Sequence, residues 1–445
     1  MVKVIVAKQK YDCSDKGLDL AGKFVDESHY DLLIEEDCDV YMPAPYGTDP
    51  INENNIILRF RKNYFTKEQQ DAAYFGLRDA ATRTENRGLA SGIRDGIVAG
   101  EDTREWVTNY QDEMMREILI NRTADVYGDS DVIDEIRAKY PTEAHRKMAG
   151  GSGKNNVWVI SRYRNGEFNF EQWVDSIKPL TKEARAIATE DVMDMISVTT
   201  YGTPVNSGIA GWFDRYPRIP YGRATSYTRD NFEKFKMSFP FLQQLAVGFK
   251  DLLPERYSNQ MSAASKLDSR YLVPETPFTT ITVNKTFRTA AHYDAGDLTT
   301  GLSNLLTLSN DGKYTGGYLI APEYRLAVNP RPGDLLLINN HEVMHANTPI
   351  VCEEGSERIS LVVYFREKML ELGSFEYEEC RYEYVETRKN NKEHPEWRQL
   401  WNGISEGMWK SDEWYEYCKS KLGEDVLIKE HPESVKSNTI EEFFV

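Results

Sequence analysis

Phe278–Asp297 reads FTTITVNKTFRTAAHYDAGD. Its first part, Phe278–Asn284, alternates apolar and polar residues, the period of a strand with one buried face. More apolar runs follow: Leu302–Leu308, Gly317–Ile320, Arg325–Val328, Leu335–Ile338 and Ile359–Phe365. GD, GG and RPGD turns separate them. Short antiparallel strands at this spacing predict an α+β fold, a double-stranded β-helix of the jelly-roll or cupin type with flanking helices.

The strand pattern of Phe278–Asn284 leads into His292 and Asp294. In an extended chain, residues two apart project from one face, so an imidazole and a carboxylate there can share a metal ion. A third ligand must come from a distant strand. The chain has seven histidines. His345, in PGDLLLINNHEVMHANTPI (Pro332–Ile350), is the best placed, and His341 is its rival. Two histidines and one carboxylate make the facial triad of non-heme Fe(II) oxygenases, which leaves positions open for other ligands. The bland alternative for His341 is a supporting or buried, hydrogen-bonded histidine. Arg358 opens the apolar run RISLVVYFR, where its fork can hold a dicarboxylate such as 2-oxoglutarate by two parallel hydrogen bonds. Ser360 and Asn284 are assigned with it to the co-substrate.

Composition sets outer bounds. The chain has 445 residues, 40% hydrophobic and 12% aromatic, enough for a sizeable core. It contains no apolar run near the length of a membrane span, and its N-terminal apolar run is too short for a signal peptide. Five scattered cysteines argue for reduced thiols in an intracellular, cytoplasmic setting. The net charge is −17, which looks unsuited to nucleic acid. Its distribution qualifies that: residues 1–54 hold 5 basic and 12 acidic side chains, and residues 370–445 hold 10 and 18. The acid is concentrated at the ends, and the centre can still present a positive face.

Four regions follow: an acidic N-terminal element at 1–60, a helical region at 61–150, the β-helix domain at 151–370, and an acidic, Trp-rich helical region at 371–445. Within them, Lys3–Ala7, Tyr30–Ile34 and Ile56–Phe60 read as strands. Thr66 and Gln69 have the spacing of a capping box, so a helix starts there. Helices are also expected over 101–123, 131–139, 181–196 and Phe239–Leu253, a strand over 157–163, and a flexible break at 149–153. RTENRGLASGIRDG places Arg83, Arg87 and Arg94 among glycines, either a turn in solvent or a tight loop close to a ligand. Gly208–Arg229 carries Arg215, Arg218, Arg223 and Arg229 interleaved with Tyr216, Tyr221 and Tyr227. From Arg215 to Arg229 there are four arginines and no acid, which reads as a loop whose arginines suit phosphates and whose aromatic faces suit bases. The alternative is a surface loop with its tyrosines packed on the core.

PYGRATSYTR, PFTTITVNKTFRTAAHYDAGD, GGYLIAPEYRLAVNPRPGD, HEVMHANTP and RISLVVYFR together resemble the TET/JBP family of 2-oxoglutarate and Fe(II)-dependent nucleic-acid base dioxygenases. The likeness covers roughly residues 205–368 and looks closer to J-binding-protein and phage members than to animal TET proteins. It implies Fe(II) on His292, Asp294 and His345, 2-oxoglutarate on Arg358, and O2 as oxidant. It implies hydroxylation of a pyrimidine 5-methyl group in DNA, with 5-methylcytosine put first and thymine second. A base in the stack would have to flip out to reach an iron deep in a barrel. The residue types noted above, rather than the likeness, make Arg87, Arg215, Arg218, Arg223, Tyr227 and Arg229 the expected DNA contacts. A small-molecule or free-nucleotide oxygenase of the same chemistry is the rival class.

Overall fold

The computed structural model describes residues 2–13, 20–45, 47–84, 87–92, 205–215, 219–294, 296–390 and 411–423. The helices expected over 101–123, 131–139 and 181–196, the strand at 157–163 and the break at 149–153 lie outside the described residues.

In chain order the first part supplies β1 (Lys3–Val6), β2 (Leu32–Ile34), β3 (Cys38–Tyr41), β4 (Ile56–Arg61), α1 (Lys67–Leu77) and β5 (Thr82–Thr84). Next come β6 (Val205–Phe213), β7 (Arg223–Ala224) and four helices: α2 (Ser226–Asp230), α3 (Phe232–Lys236), α4 (Phe239–Leu252) and α5 (Pro254–Ala264). The rest of the barrel is β8 (Thr280–Lys285), β9 (Ser303–Ser309), β10 (Tyr314–Gly316), β11 (Leu319–Ala321), β12 (Leu326–Val328), β13 (Leu335–Ile338), β14 (Ala346–Asn347), β15 (Ile350–Cys352) and β16 (Arg358–Tyr364). Two helices close the described chain, α6 (Phe375–Asn390) and α7 (Ser411–Leu422).

These strands form a double-stranded β-helix. The large sheet runs β1-β3-β4-β13-β9-β16-β8-β6-β5, with β7 beside β6. The smaller sheet runs β14-β11-β12-β2, and β10 pairs with β15. Strand β16 lies antiparallel between β9 and β8, with Ser360 opposite both Thr307 and Asn284. Alternation decides which side each residue serves. Ile359, Leu361 and Val363 belong to the core that also holds Leu242, Leu245 and Phe249 of α4. Burying each such side chain stabilises the fold by about 1.5–3 kcal/mol. Their neighbours Arg358, Ser360, Val362 and Tyr364 face a cavity on the opposite side. A second core lies between the sheets, where Ile57, Phe60, Leu336 and Ile338 meet Leu319, Leu326 and Val328.

Residues 1–60, read as an acidic N-terminal element, supply strands to both sheets. Strand β4 pairs antiparallel with β13, β3 with β4, and β1 runs parallel to β3. Strand β2 runs parallel to β12 in the smaller sheet. The expected capping box is present: Thr66 Oγ1 accepts from the Gln69 N–H, and the Thr66 N–H donates to Gln69 Oε1 at 3.0 Å. Helix α4 ends one residue before its expected limit, and Pro254 opens α5. Among the described residues no helix is long and apolar enough to cross a membrane.

The loop expected at Gly208–Arg229 is corrected. Its first part is β6, paired with β8 from Ser207 to Gly211. The glycines that made it look like a loop are needed for close approach. A Cβ on Gly208 would lie 1.7 Å from the Ala80 carbonyl oxygen. Helices α6 and α7 join around Tyr377, Tyr384 and Trp414, and Tyr221 packs into the same cluster. Trp397, Trp401 and Trp409 lie outside the described residues.

Candidate active site

His292 and His345 reach each other through a bridge between two short extended segments. The His292 N–H donates to the His345 carbonyl at 3.1 Å, and the His345 N–H returns to the His292 carbonyl at 2.9 Å. Asp294, two residues on, turns toward the same point. Its Oδ1 lies 3.4 Å from His292 Nε2, and its Oδ2 lies 3.8 Å from His345 Nε2. One ligand atom from each of the three falls within 4.8 Å of the others.

The remaining atoms of these side chains are fixed by neighbours. His292 Nδ1 stands 2.7 Å from the Ala290 carbonyl, and His345 Nδ1 stands 3.1 Å from that of Val343. Carbonyl acceptors there call for N–H at both Nδ1 atoms and leave each Nε2 lone pair free. Burial draws the His345 pKa down to about 4, with His292 adding to the effect and Asp294 opposing it. Asp294 feels burial pushing its pKa up, yet His345, His292 and the Asn340 side-chain amide together hold it low, at about 2. A neutral His345 imidazole and an ionised Asp294 carboxylate are the states in which these two groups can bind a divalent metal.

His341 does not join them. It is exposed and lines a separate cleft with Lys10, Tyr324 and Glu342. His341 is thus not among the three converging ligand atoms, and of its two bland alternatives the buried, hydrogen-bonded one does not hold.

Two residues without a recognisable sequence signal complete the frame. Asn340 Nδ2 donates to Asp294 Oδ2 at 3.0 Å. Glu323, 2% exposed, pins both ligand segments at once. Its Oε1 accepts from the Tyr293 hydroxyl at 2.7 Å and from Lys10 at 3.2 Å, while Oε2 accepts from the Met344 N–H at 2.8 Å. Tyr293 lies between two ligands and Met344 precedes the third. In the sequence, Glu323 is one acid in a turn, and only the fold brings it under both segments.

The triad opens onto a cavity of about 380 Å³. Thr282 and Asn284 of β8, Ile209 of β6 and the inward residues of β16 form its walls. Arg358 lies in it, 0% exposed. Its Nη2 reaches Thr307 Oγ1 only at 3.4 Å, and its Nε and Nη1 have no hydrogen-bond partner. Among the described residues no carboxylate pairs with it. Leaving a buried guanidinium unmatched costs more than the bond it would make is worth, so this site fits an anion. Gly317, at φ +72°, keeps the space beside it open: a Cβ there would stand 3.2 Å from Arg358 Nε. Asn284 and Ser360 line the same cavity, and Asn284 also accepts the Ser207 hydroxyl. The residues present therefore fit an iron ion at the triad and a dicarboxylate reaching Arg358.

Asp297 also faces the cavity. Burial and then Asp294 push its carboxyl up to about 8, and the Ser303 hydroxyl bonds to it.

The arginines expected at DNA part company. Arg215 pairs with the fully buried Glu378 of α6, and Tyr221, also buried, reaches Glu386. Arg223 donates to the Asp214 carbonyl at 2.9 Å, and the Tyr227 hydroxyl donates to that of Gly76 at 2.6 Å. Both nevertheless line an outer cleft. Arg229 is exposed and pairs with Asp230 at 2.8 Å. Arg218 lies outside the described residues. Arg87 lines both the inner cavity and the outer cleft.

The fold, the triad and the anion-ready arginine define a 2-oxoglutarate and Fe(II) oxygenase domain. Residues 209–367 match the sequence model of the Tet_JBP oxygenase domain of that superfamily. This part of the chain is thus similar to the TET/JBP family. The thymine dioxygenase JBP1 of Trypanosoma brucei brucei is 33% identical over 198 residues, 43% of this chain and 22% of its own. The bifunctional helicase and thymine dioxygenase JBP2 of Leishmania tarentolae is 28% identical over 298 residues, 64% of this chain and 25% of its own. The chain thus spans about a quarter or less of these relatives. A solved structure of NgTET1 in complex with 5mC DNA aligns over 84% of this chain and 86% of that one, at 12% identity and a TM-score of 0.37. At that score the likeness carries no argument.

Proposed function

We propose that this protein oxidises the 5-methyl group of a pyrimidine base in DNA, using Fe(II), 2-oxoglutarate and O2. The observation that carries the reading is the pairing of His292, Asp294 and His345 with an unmatched, fully buried Arg358 around one cavity. Iron bound there supplies O2 activation coupled to decarboxylation of 2-oxoglutarate to succinate and CO2, with hydroxylation of a methyl group as the outcome. The protein's own residues bind and orient. His292, Asp294 and His345 offer ligands while other positions stay open. Arg358 takes the distal carboxylate of the co-substrate in a two-bond fork. Leu305, Leu319 and Val362 keep the cavity wall apolar and exclude water.

Similarity to thymine dioxygenases supports DNA as the substrate. The C5 methyl lies in the major groove within the base stack. A base must leave that stack to reach an iron inside a barrel, at a cost of a few kcal/mol. The sequence reading puts 5-methylcytosine first, and the names of the relatives bring thymine level with it. The test is nucleoside mass spectrometry after incubation with iron, 2-oxoglutarate and duplexes containing thymine or 5-methylcytosine. A hydroxymethyl product from either base is expected, with succinate formed in step. Oxidation of a free nucleotide or small molecule with both DNA bases untouched would overturn the reading.

A further inference from the structure

The inner cavity and the outer cleft meet at three shared residues: Arg87, Ile209 and Phe213. The outer cleft, about 620 Å³, lies beside β5, β6 and α2. It gathers three guanidinium groups, from Arg83, Arg87 and Arg223, none of which pairs with a carboxylate among the described residues. The two acids on its rim are already matched: Asp79 by Lys234 and Asp230 by Arg229. A chain of net charge −17 thus leaves uncompensated positive charge in one cleft, at the entrance to its iron site. Arg87 is the innermost of the three. It is half-buried, and its Nε is enclosed with no hydrogen-bond partner.

A flipped nucleotide has its base inside and the rest of its strand outside. Its sugar and phosphate must cross where the two spaces join. Ile209 and Phe213 are apolar and suit the sugar and the edge of the base. Among the described residues Arg87 Nε has no hydrogen-bond partner, and a phosphodiester oxygen is the acceptor that would satisfy its N–H. We propose that the outer cleft carries the DNA strand and that Arg87 binds the phosphate next to the flipped nucleotide, fixing how far the base enters. Arg83 and Arg223 hold the strand on either side of that point. This rests on the reading of the site as an oxygenase of methylated pyrimidines in DNA. It assigns Arg87 as a positioning residue, not a catalytic one.

The experiment uses duplexes with a single target base in which the phosphate on one side or the other is replaced by neutral methylphosphonate. With wild type, one of the two substitutions should lower kcat/KM by about tenfold to a hundredfold, the range for a hydrogen bond to a charged group. Arg87→Ala should start lower by a similar factor and lose almost nothing more on the same substitution, because the partner is already gone. Arg87→Lys keeps the charge without the fork and should fall between. A wild type indifferent to both substitutions overturns the assignment, whatever the fate of the variants. So does an Arg87→Ala protein that still suffers the full loss, since a merely structural arginine would behave that way. Affinity for the same duplexes, measured by fluorescence anisotropy, needs no turnover. Failure to oxidise DNA would strike the proposed function, whereas equal affinity with and without the neutral phosphate would strike Arg87. Removing this contact should also reduce the log–log salt slope of binding by about 0.9.

Discussion

The neutral imidazole of His345 keeps a lone pair for iron at physiological pH, while His341, four residues earlier, is in solvent. His345→Ala should abolish turnover and weaken iron binding by more than about a hundredfold, since loss of mere supporting contacts already costs 10–100-fold. His341→Ala should leave both near wild type. Equilibrium dialysis of iron, with succinate release alongside, checks the pair. The reverse result would move the distal ligand. Arg358 gives a second prediction. Arg358→Lys keeps a cation but loses the planar fork, so the KM for 2-oxoglutarate should rise by about tenfold to a hundredfold with iron affinity little changed. Titration of the co-substrate at fixed iron measures it, and an unchanged KM would remove Arg358 from the site. In the sequence a strand's period of two pairs His292 with Asp294. His345 stands out only as a candidate from a distant segment with His341 as its rival, and Arg358 by its place at the head of an apolar run; the fold brings the first three together. Glu323 was not legible, because its partners Tyr293, Met344 and Lys10 are gathered only by the fold.

At the scale of the element, the pairing of Arg215 with Glu378 ties the end of β6 to α6. Glu378 is 0% exposed and also accepts from the Gly222 and Gly373 N–H groups. Arg215→Ala strands a buried carboxylate, and the expected cost is about 3 kcal/mol. Denaturant unfolding should show a lower midpoint with an unchanged slope. A loss under about 1 kcal/mol would mean that the two backbone donors are enough for Glu378. This arginine also shows where sequence reading stops. Counted along the chain, Arg215–Arg229 is basic and free of acid, which suggested phosphates. In space, an acid 163 positions away reaches Arg215. Strand positions fared better: Leu335–Ile338 was read without error, and Phe278–Asn284 and Ile359–Phe365 shifted by one or two residues. Strand β6 was missed because Gly208 and Gly211, needed for close packing, broke its period.

On the scale of the whole molecule, the acidic N-terminal segment completes both sheets. Removing residues 1–45 would take away β1, β2 and β3 and leave β4 and β12 with bare edges. Unpaired strand edges template association with other chains. The shortened protein should therefore aggregate, which the soluble fraction and size-exclusion profile would reveal; a soluble monomer with intact succinate release would refute this. The two-way hydrogen-bonded bridge between His292 and His345 has a consequence of another kind. It makes the metal a clasp across the barrel: a cation on those imidazoles holds together two stretches of backbone that global unfolding must part. Ligand binding to the folded chain alone raises its stability by RT ln(1 + [L]/Kd). In scanning calorimetry, the melting temperature should climb steadily with the logarithm of free metal, using redox-inert Mn(II) in place of iron. With His345→Ala the same titration should run flat, so that the barrel itself reports occupancy of its iron site without any turnover.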